Sequence, residues 1–206
     1  MNIDWENISN YDWNDINIIS NIDWLNVKWD KISCRVCKTN TWYKFIDWNN
    51  KELVKSIIKY DWEDFQFCSE TLKNDYDIAY LAVSDYGLAL YWASDNLKNN
   101  INIVKKAIST YAYSYKYSSK TLMENKEIID FALNKNPDVY QYIPKCFQQD
   151  YNYAFLAVRN NWKNYKDIIK NIKGLNKNKD IINEALSQSR EVLNFIPDKI
   201  KHQFDV

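Results

Sequence analysis

The chain has very little punctuation. Only 2 glycines and 3 prolines occur in 206 residues. That scarcity excludes an all-β sandwich with its many tight turns, and a dinucleotide fold with its glycine-rich phosphate loop. It permits helices joined by short Asn, Asp and Ser turns. Histidine occurs once, as His202, between Lys199 and Lys201 on one side and the end of the sequence on the other. Triads and multi-histidine metal sites need converging partners that a lone, solvated histidine does not have. No Walker A, GxGxxG, GxSxG or HExxH pattern is present. No apolar run approaches the ~18 residues of a membrane span. The opening MNIDWENISN has neither a basic n-region nor an apolar h-region. A soluble, cytoplasmic protein without a membrane partner is expected.

The 4 cysteines are unevenly spaced and do not form a secreted disulfide framework. Cys34 and Cys37 make a CxxC. Arg35 would lower a thiol pKa, and zinc would need two further ligands from Cys68, Cys146 and His202. No thioredoxin-like strand–helix context surrounds the pair, so incidental cysteines are the simpler reading. Glu63, Asp64, Asp75 and Asp77 fall at turns and helix starts, where acids favour the helix dipole. No cofactor, no metal and no enzymatic activity are expected.

Aromatic residues are abundant: 9 Trp, 16 Tyr and 8 Phe. With 46% hydrophobic residues they argue for a packed core rather than disorder. Lys+Arg and Asp+Glu balance at 27 each, but residues 1–100 carry a net charge of −6 and residues 101–206 a net charge of +6. Such asymmetry marks either a partner surface or ordinary drift along a solvated one.

The chain repeats itself every 25 residues. Windows starting at residues 50, 75, 100, 125, 150 and 178 align six units, with an insertion, Leu175 to Lys177, before the sixth. Position four reads Leu53, Ile78, Ile103, Ile128, Tyr153, Ile181. Position five reads Val54, Ala79, Val104, Ile129, Ala154, Ile182. Position eight is Ala82, Ala107, Ala132, Ala157 and Ala185 after an exceptional Ile57. Position nine reads Ile58, Val83, Ile108, Leu133, Val158, Leu186. Spacings of four describe one face of a helix A of about ten residues. The alanine column lets neighbouring helices approach closely. A turn follows at positions 12 and 13. A second stripe comes next. Position 16 reads Phe65, Leu90, Tyr115, Tyr140, Tyr165, Leu193; position 19 reads Cys68, Ala93, Ser118, Ile143, Ile168, Ile196; position 23 reads Leu72, Leu97, Leu122, Phe147, Ile172, Ile200. This predicts an amphipathic helix B. Ser69, Ser94, Ser119, Pro144 and Pro197 at position 20 should break or restart it, whereas Ile169 permits a continuous helix in the fifth unit.

Neither helix can bury its stripe alone, but stacked units can. The expected fold is therefore all-α: a right-handed, α-solenoid-like stack of about six two-helix hairpins over residues 50–206. Residues 1–49 form a divergent helical cap. Within the cap, Trp5–Ser9 (WENIS) recurs as Trp29–Ser33 (WDKIS), and Ile22–Trp24 (IDW) recurs as Ile46–Trp48. Its tryptophans either bury against the first unit or form a docking surface.

The unit Asp75–Asn99 carries "LAV" at Leu81–Val83, "YGLALYWAS" at Tyr86–Ser94 and "NLKN" at Asn96–Asn99. In these it resembles an uncharacterised 25-residue helical-repeat family common in giant DNA viruses of amoebae, of mimivirus type, and found in some bacteria. The likeness runs from residue 50 to about residue 203 and weakens after Tyr165. The IDWENIS segment is similar to another tandem repeat of such viruses. The resemblance implies an all-helical fold, a viral origin, and a location in the host cytoplasm or the virion. It carries no catalytic residues.

Two functional readings follow. The first is a non-enzymatic scaffold binding a protein partner through a concave face or the aromatic ridge at positions 16 to 18. The second is a nucleic-acid-associated protein using the basic segment from residue 159 to residue 179. The candidate binding residues are Arg159, Lys163, Lys166, Lys170, Lys173 and Lys177, opposed there by Asp167 alone. On a continuous helix Lys163, Lys166, Lys170 and Lys173 share one face. The plain alternative is the solvated back of an amphipathic helix. Self-association between the acidic and basic halves of two copies is a further possibility for this charge pattern.

Overall fold

A computed structural model describes residue 15 and residues 21–28, 44–171, 174 and 177–204; the side chains of residues 167 and 169–171 lie outside the described part. Among the described residues every regular element is helical and none is a strand. The α-helices come in pairs at the 25-residue step. They are α1 (Lys51–Ile58) and α2 (Glu70–Lys73), α3 (Tyr76–Asp85) and α4 (Asp95–Lys98), α5 (Ile101–Thr110) and α6 (Lys120–Met123). Then come α7 (Lys126–Lys135) and α8 (Lys145–Gln148), α9 (Tyr151–Asn160) and α10 (Lys163–Asn171), α11 (Lys179–Gln188) and α12 (Asp198–Lys201).

The odd-numbered members are helix A. Each starts after an Asn or Asp at position one. Asn50, Asp75, Asn125, Asp150 and Asn178 accept backbone N–H bonds from the first turn, and Asn100 does the same for Asn102 and Ile103 at 3.0 and 3.2 Å. Such caps satisfy otherwise orphaned donors and are each worth about 1 kcal/mol. The alanines at position eight are 0% exposed in all five units that have one, and Ile57 is 2% exposed. The alanine column thus belongs to the buried core.

Helix B is corrected. Positions 13 to 18 form a 3-10 helix, not an α-helix, at Trp62–Phe67, Gly87–Trp92, Ala112–Tyr117 and Pro137–Tyr142, with Arg190–Asn194 in the sixth unit. The segment is pinned between two extended residues. Position 12 has φ near −150° (Tyr111), and position 19 turns out again with ψ of 162° (Ser118). Six residues so confined gain more bonds from an i to i+3 pattern than from an α ladder. The tighter winding buries a column that spacing alone does not reveal. Position 15 is buried as Asp64, Ala89, Ser114, Val139 and Val192. Asp64 thus stands in the first turn of its 3-10 helix, as its place at a helix start predicts, but buried. In the sixth unit Val192 is the buried residue and Leu193 is only half-buried.

The chain restarts at position 20 as expected. Ser69, Ser94 and Ser119 Oγ accept from Leu72, Leu97 and Leu122 N–H at 3.3, 3.3 and 3.2 Å, opening one-turn helices. Pro144 and Pro197 stand at the same cap without a side-chain bond. In the fifth unit, Ile169 replaces the capping residue and α10 runs unbroken from Lys163 to Asn171. Gly174 follows with φ of 101°, a left-handed turn open to glycine, and its carbonyl accepts from Lys177 N–H at 3.2 Å.

Two compact units result, Met1–Lys106 and Ala107–Val206. In the first, neighbouring repeats are tied in register. Ser69 and Ser94 N–H donate to the Trp48 and Lys73 carbonyls, both at 3.0 Å, and their hydroxyls donate to Asn49 and Asn74 Oδ1 at 2.9 and 2.6 Å. Ile22 and Ile46 are both buried, and Trp24 and Trp48 are half-buried, so the 24-residue recurrence there is structural. Trp48 packs on Phe67 with ring centroids 5.4 Å apart. The WENIS and WDKIS segments and Cys34/Cys37 lie outside the described residues.

In the second unit tyrosine hydroxyls add further ties. Tyr115 and Tyr140 donate to the Met123 and Gln148 carbonyls, each at 2.6 Å, closing the 3-10 helix onto the one-turn helix of the same repeat. Tyr153 reaches back one repeat to Asp130 Oδ1 at 2.7 Å.

Candidate interaction surface

The basic segment begins at a corner between α9 and α10. Arg159 lies near the end of α9, Lys163 opens α10, and Lys166 is one turn on; all three are exposed. The corner is held from both sides. Asn161, its extended residue, accepts from Lys163 N–H at 3.1 Å and donates to Asp138 Oδ1 at 2.9 Å; Asn164 donates to the same carboxylate oxygen at 3.1 Å and to the Ala157 carbonyl at 3.0 Å. From the next repeat, Gln188 donates to the Val158 and Arg159 carbonyls at 2.8 and 3.0 Å and accepts from Trp162 N–H at 3.0 Å. These amides satisfy the backbone where helix ends leave it unpaired. The cations thus stand on backbone fixed by three repeats.

Among the described residues Arg159, Lys163, Lys166 and Lys177 make no ion pair; Lys166 Nζ lies 5.4 Å from the ring centre of Phe195. Lys177 is exposed beyond Gly174. The Lys170 side chain and Lys173 lie outside the described residues, so the four-lysine face is established only for Lys163 and Lys166. Two residues that spacing did not single out, Asp138 and Gln188, position the corner. Their only sequence signal is a polar residue next to a turn in a neighbouring unit.

The aromatic ridge is narrower than expected. Position 16 belongs to the core: Phe65, Leu90, Tyr115, Tyr140 and Tyr165 are 0–3% exposed. Positions 17 and 18 remain at the surface and form contacts between repeats. Trp62 lies 5.6 Å from Trp92, and Tyr113 meets Tyr142 edge-on at 5.9 Å. Lys116 Nζ sits 4.9 and 5.3 Å from the ring centres of Tyr117 and Tyr142.

The titratable chemistry is mostly packing. Burial pushes the Cys68 thiol up to about 12, which keeps it protonated and unreactive. Cys146 is exposed and His202 is exposed. Among the described residues no three His, Cys, Asp or Glu side chains are grouped to hold a metal ion, and no helix is long and apolar enough to cross a membrane.

Comparison with protein families gives three matches in tandem to one family, the domain of unknown function DUF4116. They cover residues 50–95, 77–123 and 125–173. The chain belongs to the DUF4116 family. The matches step along the chain with the repeat and take in the α9–α10 corner, while the sixth unit lies beyond them. No curated protein and no solved structure matches the chain.

Proposed function

We propose that this DUF4116 chain is a non-enzymatic helical-repeat interaction protein whose basic corner docks an acidic protein partner. The observation that carries the reading is the corner itself. Arg159, Lys163 and Lys166 are exposed and make no ion pair among the described residues, on backbone fixed by Asp138 and Gln188. Cations on a fixed backbone bind without reordering the chain, and they add encounter rate and salt dependence. In this reading Lys170, Lys173 and Lys177 extend the stripe. The repeats stack throughout as a right-handed, α-solenoid-like array, and the protein serves a giant DNA virus in the host cytoplasm or the virion.

The test is capture by immobilised protein at low and moderate salt, followed by mass spectrometry. Reversing Lys163, Lys166, Lys170 and Lys173 to Glu should leave the helical spectrum and melting temperature intact and remove an acidic, salt-sensitive protein partner. If the reversed variant captures every partner as well as the parent does, the stripe is only a solvated face. Salt-sensitive retention of RNA or DNA instead of protein would replace this reading with nucleic-acid association. Loss of a second copy of the chain would make the acidic partner the protein's own first half.

A further inference from the structure

Lys166, in the basic corner, has a counterpart two repeats earlier. Position 17 of the repeat reads Lys116, Gln141 and Lys166 in the third, fourth and fifth units, and no unit has an acid in that column. All three side chains are exposed. Position 18 of the following repeat places a ring beside each lysine. Lys116 Nζ lies 5.3 Å from the ring centre of Tyr142, and Lys166 Nζ lies 5.4 Å from that of Phe195. Lys116 makes no ion pair among the described residues, and a hydrogen bond to Tyr117 holds its pKa above the ordinary lysine value. Between the two posts, the Gln141 amide donates to the Asp138 carbonyl at 3.1 Å. The half-buried Asp138 carboxylate accepts from Asn161 and Asn164. The repeats that carry the posts are in contact: Ala112–Tyr117 packs on Pro137–Tyr142, which packs on α10. Packed helices stand about 8–10 Å apart, so two steps set the posts about 16–20 Å apart. An extended chain covers that distance in about five or six residues.

We infer that Lys116 and the α9–α10 corner form one strip, which takes an extended acidic segment of the protein partner. The inference rests on the corner reading above and adds the shape of what docks there. Charge complementarity identifies the occupant: Lys116, Arg159, Lys163 and Lys166 are exposed cations without an ion pair among the described residues. A segment rich in acids repels itself and stays extended, so the spacing of the posts sets the spacing of its acids. Alternate side chains of an extended chain share a face, so an acid about six residues from the corner-bound group reaches Lys116 on the same side. The segment is therefore asymmetric, with clustered acids over Arg159, Lys163 and Lys166 and a separate acid over Lys116. The rings of Tyr142 and Phe195 hold the two ammoniums in place by attraction to the ring faces.

The test uses labelled oligo-glutamates of four and of ten residues, titrated against the full chain at low salt. The short peptide reaches the corner alone, and the long one reaches Lys116 as well. The long peptide should bind at least tenfold tighter. Lys116→Gln should remove most of that gain and leave the short peptide's affinity unchanged. Lys145→Gln, an equal loss of charge at the exposed position 21, should alter neither peptide. Tyr142→Leu should remove part of the gain and Tyr142→Phe should keep it, at unchanged melting temperature for the Phe variant. No gain with length, equal losses for both peptides in Lys116→Gln, or an equal effect of Lys145→Gln overturns the strip while the corner stands. Binding of the short peptide that is indifferent to Lys163→Gln/Lys166→Gln overturns the corner and the strip together. A gain that depends on Lys116 for oligothymidylate but not for oligo-glutamate overturns the assignment to a protein segment.

Discussion

The two halves of the chain use the same repeat and treat their polar groups in opposite ways. In the first, three lysines form internal ion pairs. Lys51 bridges to the next repeat, 2.6 Å from Asp75 and 3.1 Å from Asp77, while Lys55 and Lys73 pair with Glu52 and Glu70. Its tyrosines face outward: Tyr60, Tyr76, Tyr80 and Tyr91 are 40–55% exposed. In the second half the pattern inverts. Tyr115, Tyr140 and Tyr165 are in the core, and Arg159, Lys163, Lys166 and Lys177 make no ion pair among the described residues. Position 16 shows the exchange most simply. Phe65 and Leu90 need no partner there, whereas Tyr115 and Tyr140 each place a hydroxyl on a carbonyl. Repetition fixes which positions are buried, and leaves each half free to choose what it shows to solvent.

The largest expected effect tests what the halves share. Ala132→Leu overpacks a fully buried alanine and should destabilise by about 1–3 kcal/mol in chemical denaturation, against almost nothing for exposed Lys126→Ala. Equal losses would show that position eight is not a close contact. A smaller effect tests what divides them. Tyr140→Phe removes the bond to Gln148 and should cost about 1 kcal/mol, because the carbonyl is left short of a donor. A phenylalanine as stable as the tyrosine would make the hydroxyl incidental. The smallest effect belongs to the first half. Partial burial pushes Asp75 up, but the bond to Lys51 and the N–H groups of Ile78 and Asp77 more than offset it, leaving its carboxyl below the ordinary range. Its contribution is therefore present above about pH 4 and is lost as pH falls through the lowered value. Asp75→Asn should flatten that acid limb slightly; an unchanged limb would mean that Lys51 pairs without consequence.

Much of this was legible in the sequence. The spacing assigns positions 4, 5, 8, 9, 16, 19 and 23 to the core, and they are buried wherever described, except Phe147 in the fourth repeat and Leu186, Leu193 and Ile200 in the sixth. Leu186 and Leu193 line one cleft together with Gln203 and Phe204. The serine restart and the continuous fifth-repeat helix were legible because capping and proline chemistry are local. The 3-10 winding was not, since spacings of three and four suit both helix types, and only the two extended flanks decide between them. Nor was the burial of Asp64 and Ser114 at position 15, where polar residues hide a core column. At the surface, spacing found the cations but not the groups that hold them. Asp138 and Gln188 act from other repeats, and a single repeat's pattern says nothing about its neighbours' side chains.

The difference between the halves is tested most directly by binding to a simple polyanion. Affinity for poly-glutamate is measured against salt concentration for the parent, for Arg159→Gln/Lys163→Gln/Lys166→Gln, and for Lys55→Gln/Lys73→Gln. Uncommitted cations release counterions on binding and paired ones do not, so the second-half variant should lose most of the affinity and its salt dependence, while the first-half variant keeps both. Equal losses from the two variants, or parent-like binding by the second-half variant, would contradict the account.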